Sequence, residues 1–185
     1  MRIVGGRFGG RALKAPSSRA IRPTADRLRE SLFNILAHAY GDPVTGARVL
    51  DLFAGTGAMG FEALSRGAAF CLFVDQGAEA RSLVRSAVDT LGCGGQARLF
   101  RRDATKLGAP GALTPFSLLF CDPPYGRGLA QRALSSALTG GWLADEALVV
   151  VEEAADSGFA FPDGFTELDR RVHGDTMVAF GRMER

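Results

Sequence analysis

The segment Cys121-Asp122-Pro123-Pro124-Tyr125-Gly126 brings together groups suited to gripping an amine. Two consecutive prolines stiffen the backbone and present no N–H, so the Asp122 carboxylate and the Pro123 carbonyl project as a fixed pair of acceptors. Such a pair matches the two hydrogens of an exocyclic amine, and the Tyr125 ring offers a flat face on which a base drawn out of its stack can rest. Asp122, Pro123, Pro124 and Tyr125 are therefore the candidate catalytic residues. A proline-rich turn after a strand accounts for the same residues without chemistry, so what else converges there decides between the two.

The second constellation is Asp51-Leu52-Phe53-Ala54-Gly55-Thr56-Gly57-Ala58-Met59-Gly60. Glycines at a strand-to-helix turn let the backbone approach a ligand and expose the amide groups of a helix N-terminus. The spacing formally satisfies a dinucleotide fingerprint, and Asp75 lies where a ribose-binding acid would sit, so an NAD oxidoreductase stays open. Asp51 weighs against it. A carboxylate just before the glycines repels a pyrophosphate but attracts an ammonium group, which favours S-adenosylmethionine. Asp75, Asp103 and Asp122 each follow an apolar run, and ligands of open α/β sheets bind outside the carboxyl ends of the strands. Four acids converging there would raise one another's pKa unless they met a cation, and a sulfonium with an amino group and ribose hydroxyls answers that requirement.

The elements that must position these residues follow from periodicity. Expected strands are Arg48 to Phe53, Ala69 to Asp75, Ala97 to Arg101, Phe116 to Cys121 and Ala147 to Glu152. They are separated by helices over Ala58 to Arg66, Ala78 to Leu91 and Leu129 to Leu138. Strands apolar on both faces and alternating with helices imply a parallel sheet covered on both sides. Phe165 to Val172 and Thr176 to Met183 read as an antiparallel hairpin around His173, Gly174 and Asp175. Thr24 is expected to cap a helix reaching Tyr40, and the glycine-rich stretch before it to form a short hairpin or extended arm outside the core. The fold class is α/β, a mostly parallel Rossmann-like sheet with a C-terminal antiparallel hairpin. Residues 1–40 form a basic arm and helix, and residues 41–185 the catalytic domain.

Charge is unevenly spread. The chain of 185 residues carries a net +2, yet its first thirty hold Arg2, Arg7, Arg11, Lys14, Arg19, Arg22, Arg27 and Arg29 against only Asp26 and Glu30. A basic arm on an acidic body suits a polyanion met at one place, and arginine suits bidentate phosphate contact. Arg7, Arg11, Arg22, Arg27 and Arg29 are the candidate nucleic-acid contacts; for Arg22, Arg27 and Arg29, pairing with Asp26 and Glu30 on the same helix is the competing role. Cys71, Cys93 and Cys121 are far apart without CxxC spacing, which indicates neither a disulfide framework nor a structural zinc site. No apolar run is long enough to span a bilayer and no signal-type segment is seen, so a cytoplasmic location is expected.

These residues together resemble a known family. DxFxGxG, an acid after the second strand and DPPY after the fourth are similar to class I amino-methyltransferases over residues 46–185. Arg22-Pro-Thr-Ala-Asp26-Arg27-Leu-Arg29-Glu30-Ser-Leu-Phe33-Asn34 closely resembles the RPTxDRxRExLFN signature of the RsmD family, and RIVGGRFGGR extends the likeness to nearly the whole chain. The resemblance implies methyl transfer from S-adenosylmethionine to the N2 amine of a guanine in 16S ribosomal RNA, within an assembling or assembled small subunit. It implies a monomer without metal. It assigns Asp51, Gly55 and Gly57 to the methionine end of the cofactor, Phe53 to the cofactor site, Asp75 to the ribose, Asp103 and the backbone of Ala104 to adenine, and Asp122, Pro123 and Tyr125 to the guanine. His173 stands where relatives carry an aromatic residue, so its role is open. An adenine-N6 methyltransferase and a non-catalytic RNA-binding module are the alternatives.

Overall fold

A computed structural model describes residues 1–185. Helix α1 (Asp26–Ala39) precedes strand β1 (Arg48–Leu52), α2 (Ala58–Ser65), β2 (Phe70–Val74), α3 (Ala78–Leu91), β3 (Ala97–Phe100) and β4 (Phe116–Cys121). Helix α4 (Leu129–Gly140) and strands β5 (Leu143–Ala154), β6 (Phe165–His173) and β7 (Thr176–Met183) complete the chain. The seven strands form one sheet in the order β3-β2-β1-β4-β5-β7-β6. The first five run parallel, and β7 joins β5 antiparallel with β6 outside it. The expected α/β sheet with a terminal hairpin is thus the observed one.

Strands β1, β2, β4, β5 and β7 are buried on both faces because they are apolar on both, whereas the edge strand β3 is half-buried and the edge strand β6 is largely exposed. On one face, α1, α2 and α3 place Phe33, Phe61 and Val84 against Val49, Phe73 and Phe120. Phe33 and Phe120 meet with ring centroids 5.7 Å apart, and Tyr40 stacks on Phe180 at 5.1 Å. On the other face, α4 presents Ala130, Ala133, Leu134 and Ala137 to Leu119, Val149 and Val151. Small residues on that stripe let the helix lie close, and each large side chain so enclosed adds about 1.5–3 kcal/mol.

Three local expectations are corrected. Strand β5 begins at Leu143, not Ala147, because Leu143 pairs with Phe116 before the register shifts; Glu146 takes φ 61° there, and the polar Ala144-Asp145-Glu146 run hid the extension. Helix α1 starts at Asp26 behind Ala25, with no side-chain cap, because the Thr24 hydroxyl is turned toward Asp122. The arm is also no free appendage. Ile3 and Leu13 are buried in the core, and Arg2 bridges antiparallel to Ala12.

A buried carboxylate docks the arm. Both Glu62 oxygens accept backbone N–H groups of the arm, from Val4 at 3.0 Å and Gly5 at 2.9 Å. Gly6, at φ 75°, lies so close that a Cβ would fall 2.0 Å from the Ser65 carbonyl oxygen. Glu62 also accepts from the Arg29 Nε at 3.2 Å, with both side chains fully buried, and from Arg66 at 3.0 Å. The Arg29 guanidinium further donates to Asp26 and to the Thr24 and Arg2 carbonyls. Removing one partner of a buried pair strands the other's charge. Arg29→Ala should therefore lose about 3–5 kcal/mol in chemical denaturation, whereas Arg170→Ala, which breaks a half-exposed pair with Glu167, should lose under about 1 kcal/mol. Equal losses would show that Arg29 bears no structural charge.

Candidate active site

A cleft of about 1030 Å³ opens at the carboxyl ends of β1, β2, β4 and β5. Its floor is the β1–α2 turn from Asp51 to Met59, one wall runs from Asp75 to Ala80, and the other holds Asp122 to Tyr125 with Glu152, His173 and Thr176. The arm and the first turns of α1, from Ala20 to Ser31, close the top. Parallel register explains the meeting of the acids: Asp51 pairs with Phe73 and with Phe120, so the chain leaves three neighbouring strands at one level.

The glycine turn is held by the acids beside it. Asp51 is buried and accepts the Gly60 N–H at 3.0 Å. Asp75 accepts the N–H of Gly55 at 2.9 Å through one oxygen and that of Gly77 at 2.8 Å through the other. Phe53 takes φ 57°, a strained position for a side-chain-bearing residue, and Gly57 takes φ 79° where a Cβ would strike Phe61 at 2.5 Å. Burial pushes the Asp51 carboxyl up to about 8, opposed by the Gly60 hydrogen bond and assisted by the charge of Asp75.

The opposite wall is equally acidic. The Asp122 carboxyl is held well above the ordinary carboxylate range, first by burial and then by Glu152 and Asp51, with Thr24 and Arg22 opposing. The Thr24 hydroxyl donates to Asp122 at 3.4 Å. The Tyr125 hydroxyl donates to Glu152 at 2.6 Å, and the Gly126 N–H to Glu153 at 3.0 Å. The Arg22 guanidinium sits 5.3 Å from the centre of the Tyr125 ring. At the far end, Ser17 donates to Glu79 through its N–H at 2.6 Å and its hydroxyl at 2.8 Å. The segment from Ser17 to Thr24 therefore crosses the cleft from one wall to the other.

Asp51, Phe53, Gly55, Asp75, Asp122, Pro123, Pro124, Tyr125, Arg22 and Arg27 all line this cleft. Others do not. The Asp103 carboxylate accepts from the Thr105 N–H at 2.8 Å and its hydroxyl at 2.7 Å, capping a short turn, and neither it nor the buried Ala104 reaches the cleft wall. Gly57 supports the turn from behind. Arg7 and Arg11 hydrogen-bond to Gln96 and to the Thr90 carbonyl, beside the start of β3 and the end of α3, which is the opposite rim from Asp122. Arg29 is wholly buried, so its place among the phosphate contacts is withdrawn in favour of the structural ion pair. The sequence reading missed Thr24, Ile21, Glu79, Glu152 and Thr176. For Glu152 a signal existed, since it ends an apolar run just as Asp75 and Asp122 follow theirs.

The sheet order and this cleft define a Rossmann-like methyltransferase. The chain belongs to the family described as Conserved hypothetical protein 95, which matches residues 1–182. It is 42% identical over 159 residues to Ribosomal RNA small subunit methyltransferase D of Escherichia coli strain K12, covering 85% of this chain and 77% of that protein. The protein of the same name from Haemophilus influenzae is 34% identical over 176 residues, 94% of this chain and 89% of its own. The solved structure of Escherichia coli yhhF superposes with a TM-score of 0.84 at 35% identity, covering 100% of this chain and 98% of that one. The RsmD resemblance read from residues 22–34 is thereby upheld.

The raised Asp51 carboxyl has a signed effect on stability. A group whose pKa is higher folded than unfolded supports folding fully below its unfolded value, near 4, and loses that support as pH rises toward 8. Asp51→Asn keeps an acceptor for Gly60 and cannot ionise. Without ligand, it should gain on the wild type in urea midpoint steadily from pH 4 to pH 8, the remaining acids being common to both. A constant difference would show Asp51 to titrate normally.

Proposed function

We propose that this chain transfers the methyl group of S-adenosylmethionine to the exocyclic N2 amine of a guanine in small-subunit ribosomal RNA. The observation that carries the reading is one cleft holding Asp51, Asp75 and the glycine turn on one side and Asp122 and Tyr125 on the other. The names of the relatives support the RNA class.

The cleft suits a cationic cofactor. None of the six ion pairs of the protein involves Asp51, Asp75, Asp122 or Glu152, so an acidic lining is left whose ionised form a cationic ligand would favour. Asp51 would attract the amino group of the methionine moiety and Asp75 the ribose hydroxyls. S-adenosylmethionine supplies a methyl already activated by a positively charged sulfur.

The chain's contribution is placement. The amine of guanine is a weak nucleophile because its lone pair is delocalised into the ring. Acceptance of its hydrogens by the Asp122 carboxylate and the Pro123 carbonyl draws the nitrogen toward tetrahedral geometry, and the Tyr125 ring fixes the plane of the base. Asp122 need not be a strong base, because the proton becomes acidic only as the new bond forms.

Residues 1–40 are the RNA-facing part of this reading, with Arg22 and Arg27 at the cleft mouth and neither of them in an ion pair. The protein would act as a monomer in the cytoplasm on an assembling or assembled small subunit; no helix is long and apolar enough to cross a membrane.

Labelled S-adenosylmethionine offered with unmodified small subunits, naked ribosomal RNA and DNA, followed by nucleoside analysis, tests the reading. Label in N2-methylguanosine supports it, and label in N6-methyladenosine would replace it with the adenine alternative. In the same assay Asp122→Ala should remove most turnover while cofactor affinity stays nearly unchanged; wild-type turnover would refute its role. Replacing Arg22 and Arg27 with Gln should flatten the dependence of RNA affinity on salt by about 0.7 in log–log slope per lost phosphate contact. An unchanged slope would assign both arginines to intramolecular packing.

A further inference from the structure

Glu152 has no place in the mechanism above, yet it is tied to both residues that hold the base. Cys121 on β4 pairs in register with Val151 on β5, so the next residues, Asp122 and Glu152, leave neighbouring strands side by side, at a spacing of about 4.8 Å. Glu152 is only 9% exposed and spends one oxygen on the Tyr125 hydroxyl at 2.6 Å. Its neighbour Glu153 takes the Gly126 N–H, so β5 clamps the Asp-Pro-Pro-Tyr turn at two points.

The groups facing this pair come from every surrounding element: Asp51 from β1, Thr24 and Arg22 from the arm, Tyr125 from the turn and Thr176 from β7. Arg22 is the one cation among them. Two carboxyls this close and this enclosed do not ionise independently. Burial raises both, and Glu152 raises Asp122 further.

We propose that Glu152 is a positioning residue for methyl transfer, anchoring the Tyr125 ring through its hydroxyl and sharing with Asp122 the proton that the amine releases. The proposal rests on the amine-methylation reading. Starting with one proton between them, the two carboxyls would release it to solvent when a sulfonium binds beside them, leaving Asp122 free to accept an amine N–H. As the nitrogen lone pair forms the N–C bond, the S–C bonding pair stays on sulfur and the positive charge moves to nitrogen. The extra proton on nitrogen then passes to the carboxyl pair, which regains its high proton affinity because the sulfonium charge has gone. Substrate, cofactor and pair thus end as methylamine, thioether and singly protonated pair, with no further reactant needed.

Glu152→Gln separates this role from simple bracing, since the amide oxygen still accepts from Tyr125 while the charge is gone. Carboxyl NMR on protein labelled with carbon-13 in Asp and Glu, without ligand, should show the Asp122 midpoint moving down by about one unit or more in Glu152→Gln. The acid limb of kcat/KM against pH should move down with it. Tyr125→Phe, which keeps the ring and removes the donor, should raise the Glu152 midpoint and raise KM for RNA more than it lowers kcat. An Asp122 midpoint and an acid limb both unchanged in Glu152→Gln would overturn the proposal. Wild-type protein that methylates no RNA would sink the functional reading instead, while the NMR midpoints would still judge the pair.

Discussion

The structure turns on four carboxyl groups gathered at one cleft with none of them in an ion pair and Arg22 the one cation facing the Asp122–Glu152 pair. Asp51, Asp75, Asp122 and Glu152 stand at one rim of a parallel sheet, and desolvation drives the carboxyls of Asp51, Asp122 and Glu152 toward their neutral forms. A fold tolerates this arrangement at a cost in stability. A bound cation would return that cost, which suits the cleft to a positively charged methyl donor. The contrast with Glu62 is instructive. That carboxylate is more deeply buried yet fully satisfied by Arg29, Arg66 and two backbone N–H groups, and it braces the fold.

The two carboxylate systems are joined through the arm. Glu62 and Arg29 lock the first residues of the chain to α2 and the start of α1. The segment that follows carries Ser17 and Ser18 to Glu79, Ile21 onto the Gly55 turn, Arg22 over Tyr125 and Thr24 to Asp122. What composition presents as a basic tail is thus the roof of the cleft. Arg22, over the Tyr125 ring, and Thr24, whose hydroxyl touches Asp122, lie two residues apart on that roof, so the proposed phosphate contact and the proposed catalytic carboxyl are held by one short stretch.

Much of this was legible beforehand. The alternation of apolar runs and helical stretches was strong enough to place the central parallel strands, β5 short of its first four residues, because burial on both faces writes an uninterrupted apolar signature. The Asp-Pro-Pro-Tyr turn and the glycine turn were legible for the same local reason, since stiffness and positive φ are demands made on single residues. Less legible were features set by partners far along the chain. Arg29 and Arg22 have the same side chain seven positions apart; one ends wholly buried against Glu62 and the other open to the cleft, and only the packing of α1 on α2 decides which. Asp103 matched the pattern of the other acids and yet turned to cap its own loop.

The sequence by itself determined the sheet, the order of its parallel strands' chemistry and the identity of the acids at their ends, because each depends on short-range periodicity and on backbone rules obeyed residue by residue. Only the tertiary structure decided that Asp122 lies beside Glu152, that Thr24 serves Asp122 instead of capping a helix, and that Arg7 and Arg11 face away from the cleft. Those outcomes depend on register between strands and on the docking of an arm whose partners lie about sixty residues away, and no local pattern encodes a contact made across that distance.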